Sequence, residues 1–203
     1  MKRVPCAHEA GSGTVRRPGR SAGFTMVELI VVMILAGVLG AIGVSRFFNR
    51  AGYDADAFTE QARTMLRYAQ KLAIAQNRPV FVQASSTGIA LCYASGATCA
   101  AGSMVPAPSG SNSGSSSTRA RCTAGSAYAD GWYCEAPPAG STLTVPPAAA
   151  GGFYFNGLGR PYMGSDIVSA GSDASSFTGM SFDITAEGSR RTITVAQETG
   201  YVQ

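Results

Sequence analysis

Glu28 is the only acidic residue between Phe24 and Ser45, a run that is otherwise almost entirely apolar. An ionised group in lipid is costly unless an opposite charge meets it, so the chemistry on offer there is charge pairing rather than turnover. Four cysteines, Cys92, Cys99, Cys122 and Cys134, lie in the carboxyl-terminal part, with Cys6 apart from them near the start. An even number in an oxidising compartment implies two disulfides, and four cysteines permit three pairings. Bridges between nearest neighbours, Cys92 to Cys99 and Cys122 to Cys134, are the expectation. A zinc site would need C-x-x-C spacing or several histidines, and His8 is the single histidine. Asp166 and Asp173 share a polar loop that offers oxygen ligands to calcium, but their spacing does not follow an EF-hand loop. No metal and no cofactor is expected. Arg160, Arg190 and Arg191, with Arg119 and Arg121, are the candidates for a phosphate-binding patch, against the plainer reading of solvated strand ends.

These residues need elements to hold them. Leu29 to Ser45 is uncharged and carries Gly37, Gly40 and Gly43, small residues that let helices approach closely. Seventeen residues at about 1.5 Å each reach roughly 26 Å, near the short limit for a bilayer. After Arg50 the pattern becomes amphipathic, with Ala55, Phe58, Ala62, Met65, Ala69 and Leu72 three and four residues apart. Glu60, Arg63, Arg67 and Lys71 form the other face, with Glu60 placed to pair with Arg63. Asn77 and Pro79 mark a helix stop; an unbroken helix from 24 to 77 would extend about 81 Å.

Beyond Pro79 the period changes to that of strands. Val80 to Ala84 and Ile89 to Tyr93 flank a turn at 85–88, and further strands are expected at Ser141 to Val145, Gly152 to Asn156, Phe177 to Thr185 and Thr192 to Gln197. The last two form a hairpin around Ala186-Glu187-Gly188-Ser189. Residues 101–119 are rich in serine, glycine and proline and read as a flexible loop with too few bulky apolar residues to pack. Together these signals indicate an α+β fold, a long amino-terminal helix whose second half covers an antiparallel sheet.

Charge and composition narrow the function. Of 203 residues 45% are hydrophobic, enough for a core. The net charge of +4 resides in residues 1–23, where Lys2, Arg3, Arg16, Arg17 and Arg20 face Glu9. The remaining chain holds eleven basic and eleven acidic residues, a balance that argues against broad affinity for nucleic acid. Cations before an apolar span place the leader in the cytoplasm and the rest outside it. No metalloprotease helix motif or phosphate-binding loop occurs, and Gly157-Leu158-Gly159 lacks the strand-to-helix setting of a dinucleotide site.

The run Gly23-Phe24-Thr25-Met26-Val27-Glu28-Leu29-Ile30 resembles the processing site of type IV pilins and type II secretion pseudopilins. A secretory signal ends its apolar core at a small-residue cleavage site, whereas here Ser21-Ala22-Gly23 precedes the core. The resemblance implies cleavage between Gly23 and Phe24 by a membrane-embedded prepilin peptidase that also methylates the Phe24 amine. It implies that Glu28 pairs with the terminal ammonium of a neighbouring subunit during assembly. Leu66-Arg67-Tyr68-Ala69-Gln70-Lys71 with Ala73-Ile74-Ala75-Gln76, and Phe155-Asn156-Gly157-Leu158-Gly159-Arg160-Pro161, are similar to minor pilins of the GspH and FimT type, most closely the MshC branch of MSHA pilus systems. The organisation implied is a leader at 1–23, a transmembrane and assembly helix at 24–50, an amphipathic helix at 51–78 and a β-rich periplasmic domain at 79–203. Loss of the leader removes His8, and with it any histidine-based catalytic triad; a structural role rather than an enzyme is implied. A start near Val15 would leave a shorter leader without Cys6 and His8. The implied partners are other pilin subunits, the peptidase, an inner-membrane assembly platform and lipid. The implied location is the inner membrane before assembly and a pilus or pseudopilus afterwards. DNA is the partner of the FimT alternative, with contacts at Arg160, Arg190 and Arg191.

Overall fold

The computed structural model describes residues 23–47, 50–96, 98–166 and 174–203, without side-chain detail at 41–47, 148 and 150. Residues 1–22 of the leader expected at 1–23, the junction 48–49 and Asp173 lie outside the described residues. The chain divides into two compact units, Met1–Phe47 and Phe48–Gln203.

Among its described residues the first unit holds one helix, α1 (Met26–Phe47). Every side chain described in it, from Met26 to Gly40, is exposed, including Leu29, Ile30, Val31, Val32, Ile34 and Leu35. A helix apolar on all sides belongs against lipid or other helices rather than water. Among the described residues no helix is long and apolar enough to cross a membrane. The side chains described in α1 stop at Gly40, short of the roughly 20 residues that a span requires. The expected span runs on to Ser45, past that point.

The second unit begins with α2 (Arg50–Gln76). Its buried stripe is Ala55, Phe58, Thr59, Ala62, Met65, Leu66, Ala69 and Ala73, with Leu72 only half-buried at its margin. Alanine at four of these positions lets the helix sit close to the sheets. Arg63 donates to Glu60 on the outer face. The helix stops because Asn77 takes a left-handed conformation (φ 47°), a residue type that tolerates it, and Arg78 N closes back on Ala73 O at 3.2 Å.

Ten strands follow. A five-stranded sheet contains β1 (Val80–Ser85) and β2 (Gly88–Cys92), and after them β5 (Cys134–Glu135), β7 (Phe153–Phe155) and β8 (Pro161–Met163), in the order β5-β2-β1-β7-β8. A three-stranded sheet joins β6 (Ser141–Thr144), β9 (Met180–Ala186) and β10 (Ser189–Val195) in the order β10-β9-β6. A small ribbon pairs β3 (Thr123–Ala124) with β4 (Ala127–Tyr128). All pairings are antiparallel. The β9–β10 hairpin turns through Glu187 and Gly188 at φ 50° and 75°. Two consecutive positive φ values match the right-handed strand twist, and glycine at the second removes the Cβ penalty there.

Both sheets present their apolar face to α2. Val80, Val82 and Ala84 of β1, Phe153 and Phe155 of β7, Phe182 and Ile184 of β9 and Ile193 of β10 complete one core with the helix stripe. Phe153 lies at its centre, 5.4 Å from Phe155 and Phe177 and 6.2 Å from Phe182 between ring centroids. Alternation carries β9 through this arrangement, since Met180, Phe182, Ile184 and Ala186 are buried while Ser181 between them is exposed.

The expected flexible loop at 101–119 is instead a packed layer. Val105 and Thr118 are fully buried, and α3 (Ser116–Arg121) forms where only serine-rich linker was expected. Ser115 is the reason, because its hydroxyl caps the helix by accepting from Thr118 N at 3.2 Å. The layer covers the outer face of the five-stranded sheet through a second small core of Ala90, Cys92, Cys122, Trp132 and Cys134. Trp132 contributes its ring to that core while its Nε1 donates to Leu91 O at 2.8 Å.

Candidate functional site

In the Gly23–Glu28 segment the chain enters α1 through Thr25. The Thr25 hydroxyl accepts from Glu28 N at 3.2 Å, and Thr25 O accepts from Leu29 N at 3.2 Å. Threonine at the cap with glutamate three residues on is the spacing of a capping box, and an acid in the first turn complements the helix dipole. Glu28 therefore has a local task in the first turn of α1. The Thr25-x-x-Glu28 spacing is the sequence signal for this cap. Phe24 stands outside the helix and is 77% exposed, so the peptide bond before it is sterically open.

The four carboxyl-terminal cysteines form two bridges, Cys92 to Cys99 and Cys122 to Cys134. The second ties the end of α3 to β5, the sheet edge beneath it. Next to it is a residue the sequence did not single out. Glu135 is 1% exposed, yet three donors converge on its carboxylate: Ser113 N at 2.7 Å, Ser113 Oγ at 2.5 Å and Thr118 Oγ1 at 3.0 Å. Thr118 Oγ1 also accepts from Ala136 N at 3.2 Å. The polar segment is thereby tied to the sheet by an acid rather than by apolar bulk. Adjacency to Cys134 was the only available signal, and it is a weak one.

The structure does not assemble the candidate arginines into an open cationic patch. Arg160 pairs with Glu198 at 2.9 Å and Arg190 with Asp183 at 2.5 Å. Arg191 pairs with Asp56 at the start of α2 and also donates to Gly52 O. Arg119 donates to Gly114 O and lies over the Tyr128 ring. Arg121 is half-buried at the end of α3, and burial pushes its guanidinium below its ordinary pKa. Among the described residues no group of three or more histidines, cysteines or acids is placed to hold a metal ion.

Asp166 is an acceptor hub in the turn after β8. It takes hydrogen bonds from Met163 N at 2.9 Å, Ser176 N at 3.0 Å and Ser176 Oγ at 2.6 Å. Burial raises its pKa, but these bonds outweigh burial and hold it below the ordinary 3.8. Asp183 is likewise lowered, chiefly by the hydrogen bond from Arg190. A carboxylate depressed on folding contributes stability above its unfolded pKa and loses it as the pH falls through the folded value. The thermal midpoint is therefore expected to fall below about pH 4. Asp166→Asn should lower the midpoint at neutral pH and flatten this acid limb, as read by circular dichroism from pH 7 to 2.

The prokaryotic N-terminal methylation motif matches residues 19–44. Two crystal forms of the type IV minor pilin FimU of Pseudomonas aeruginosa PAO1 are similar in structure. They show 17% and 18% identity over 73% and 76% of this chain and 90% and 87% of theirs, at TM-scores of 0.41 and 0.42. No curated protein matches the chain.

Proposed function

We propose that this chain is a structural minor pilin, made as an inner-membrane precursor, cleaved between Gly23 and Phe24, methylated at Phe24 and incorporated into a type IV fibre of the MSHA-like kind. The observation that carries the reading is the methylation motif over residues 19–44, which includes the whole Gly23–Glu28 run. The exposed apolar surface of α1 supports it, because such a helix needs lipid before assembly and neighbouring helices after it. In this reading α1 supplies cohesion, Glu28 supplies register by meeting a neighbour's terminal ammonium, and the β-rich domain selects adjoining subunits. Prepilin peptidase, other pilins and an assembly platform are the partners, and no turnover is involved.

The same processing and helix would serve a type II secretion pseudopilin, and neighbouring pilus or secretion genes distinguish the two. A DNA-binding role is disfavoured by the carboxylates on Arg160, Arg190 and Arg191. Mass spectrometry of the protein from its native membrane and fibre fractions tests the proposal. The expected amino-terminal peptide begins at Phe24 and carries one added methyl group. A mature product in which Gly23 is still joined to Phe24 overturns it.

A further inference from the structure

Among the described residues of the second unit, large apolar side chains stand in solvent at Tyr53, Ile74, Leu158 and Tyr201, and the last three belong to segments that touch. Gln70 fastens those segments together. Its Nε2 donates to Gly159 O at 2.9 Å, in the turn between β7 and β8, and to Thr199 O at 2.7 Å in the tail. The backbones also meet directly: a Cβ on Gly159 would lie 2.7 Å from Ile74 Cδ1, and one on Gly200 would lie 2.8 Å from Gly159 O. Single exposed apolar residues are ordinary, whereas a cluster drawn from the end of α2, a turn and the tail marks a contact surface. The turn holds Leu158 outward. Asn156 Oδ1 accepts from Leu158 N at 3.0 Å and from Arg160 N at 2.9 Å, and Gly159 N donates to Asn156 O at 2.9 Å. Leu158 is left 79% exposed on a backbone already ordered, so docking there costs little further conformational entropy.

The charges beside the cluster select the partner. Arg67, Lys71 and Ile74 follow at four- and three-residue spacing on one outer face of α2, and no acidic residue occurs between Gln61 and Gln76. Lys71 is exposed, and Arg67 donates its Nε and one terminal nitrogen to Val202 O, a neutral carbonyl beside Tyr201. Glu198 in the tail is held by Arg160 at 2.9 Å. The surface therefore offers apolar knobs with a cationic margin, which fits an apolar recess edged by carboxylates. Two cations are fewer than the about four to eight that hold a chain to an anionic lipid surface, and a phosphate backbone gives Ile74 and Leu158 nothing to bury against. Among the described residues no carboxylate lines the apolar cleft beside Leu143 in this chain, so a different subunit fits better than a second copy. We propose that Ile74, Leu158 and Tyr201, with Arg67 and Lys71 at their margin, dock this chain onto an acid-edged apolar recess of a neighbouring, different pilin subunit. This rests on the minor-pilin reading and names the face by which the β-rich domain selects its neighbour.

Photo-crosslinking of the full chain in its native cells tests this, with Leu158→p-benzoylphenylalanine as a probe that keeps the position apolar. The amino-terminal peptide is read from the same membrane and fibre fractions. The expected product joins residue 158 to another pilin subunit, at a peptide that pairs apolar residues with aspartate or glutamate. Lys71→Glu should lower its yield about tenfold, the effect of placing like charges together, and changing the crosslinked acid to lysine should restore it. Neither change in this chain should move the thermal midpoint, since both side chains are exposed. A chain that begins at Phe24 but gives no crosslink, or crosslinks only within itself, to a second copy, to lipid or to DNA, overturns the docking surface and leaves the processing reading standing. A chain still joined at Gly23–Phe24 overturns the processing reading and the docking surface with it. An unchanged yield with Lys71→Glu overturns the acidic edge.

Discussion

Replacing Glu28 with glutamine is expected to keep the protein out of the fibre while leaving its processing and its first helical turn intact. The capping task of Glu28 and the charge pairing proposed for it are separable by this substitution. Glutamine at the third helical position still supports a capping box with Thr25, whose hydroxyl accepts from the residue-28 amide at 3.2 Å in the wild type. What it removes is the charge. If a neighbour's ammonium is buried against Glu28 on assembly, leaving that cation unpaired costs several kcal/mol, a deficit of at least tenfold in incorporation. Immunoblots of sheared fibres against membrane fractions read the outcome directly. Glu28→Ala should behave at least as badly. Normal incorporation of the glutamine variant with failure of the alanine variant would assign Glu28 to helix capping alone.

The second large effect lies in the second unit, Phe48–Gln203. Glu135→Ala strips the acceptor from Ser113 N, Ser113 Oγ and Thr118 Oγ1 at a site that is 1% exposed. Each stranded donor costs about 1–3 kcal/mol, although the hydroxyls can turn toward one another and recover part of this. A net loss of about 3 kcal/mol is expected, or roughly 6–12 °C in thermal midpoint for a domain of this size. Glu135→Gln keeps one acceptor and should lose about 1 kcal/mol. Hydrogen exchange adds a local readout: the amides of 113–118 should lose protection in Glu135→Ala before those of β1 and β9. Unchanged protection across 113–118 would show that the two disulfides alone hold the layer.

The sequence showed the elements with a clear period and hid those held by single polar contacts. The α2 stripe and the strands around 80–92 and 177–197 were legible because apolar residues recur at helical or alternating spacing. β8 was not, since it begins at Pro161 and spans three residues. β3, β4 and β5 are two residues each, below the length at which alternation exists. The layer over the sheet was misread for a physical reason. Composition reports apolar bulk, whereas 101–121 is held by Ser115, Thr118 and Glu135, one cap and one buried acid. Ile74, Leu158 and Tyr201 could not be related from the sequence, because only the fold brings the end of α2, the turn after β7 and the tail together.

The outer layer is fastened to the five-stranded sheet by two cross-links and a miniature core, while the packing between α2 and the sheets continues beneath it without contribution from Cys92, Cys122, Trp132 or Cys134. Its tip, Ser109 to Ser111, is solvent-facing and makes its hydroxyl contact within the turn itself. Such an arrangement works as an interchangeable fascia. Lineages can recut the facing residues, and an engineer can splice an epitope into the 109–111 bend, while the frame that carries the panel keeps its shape.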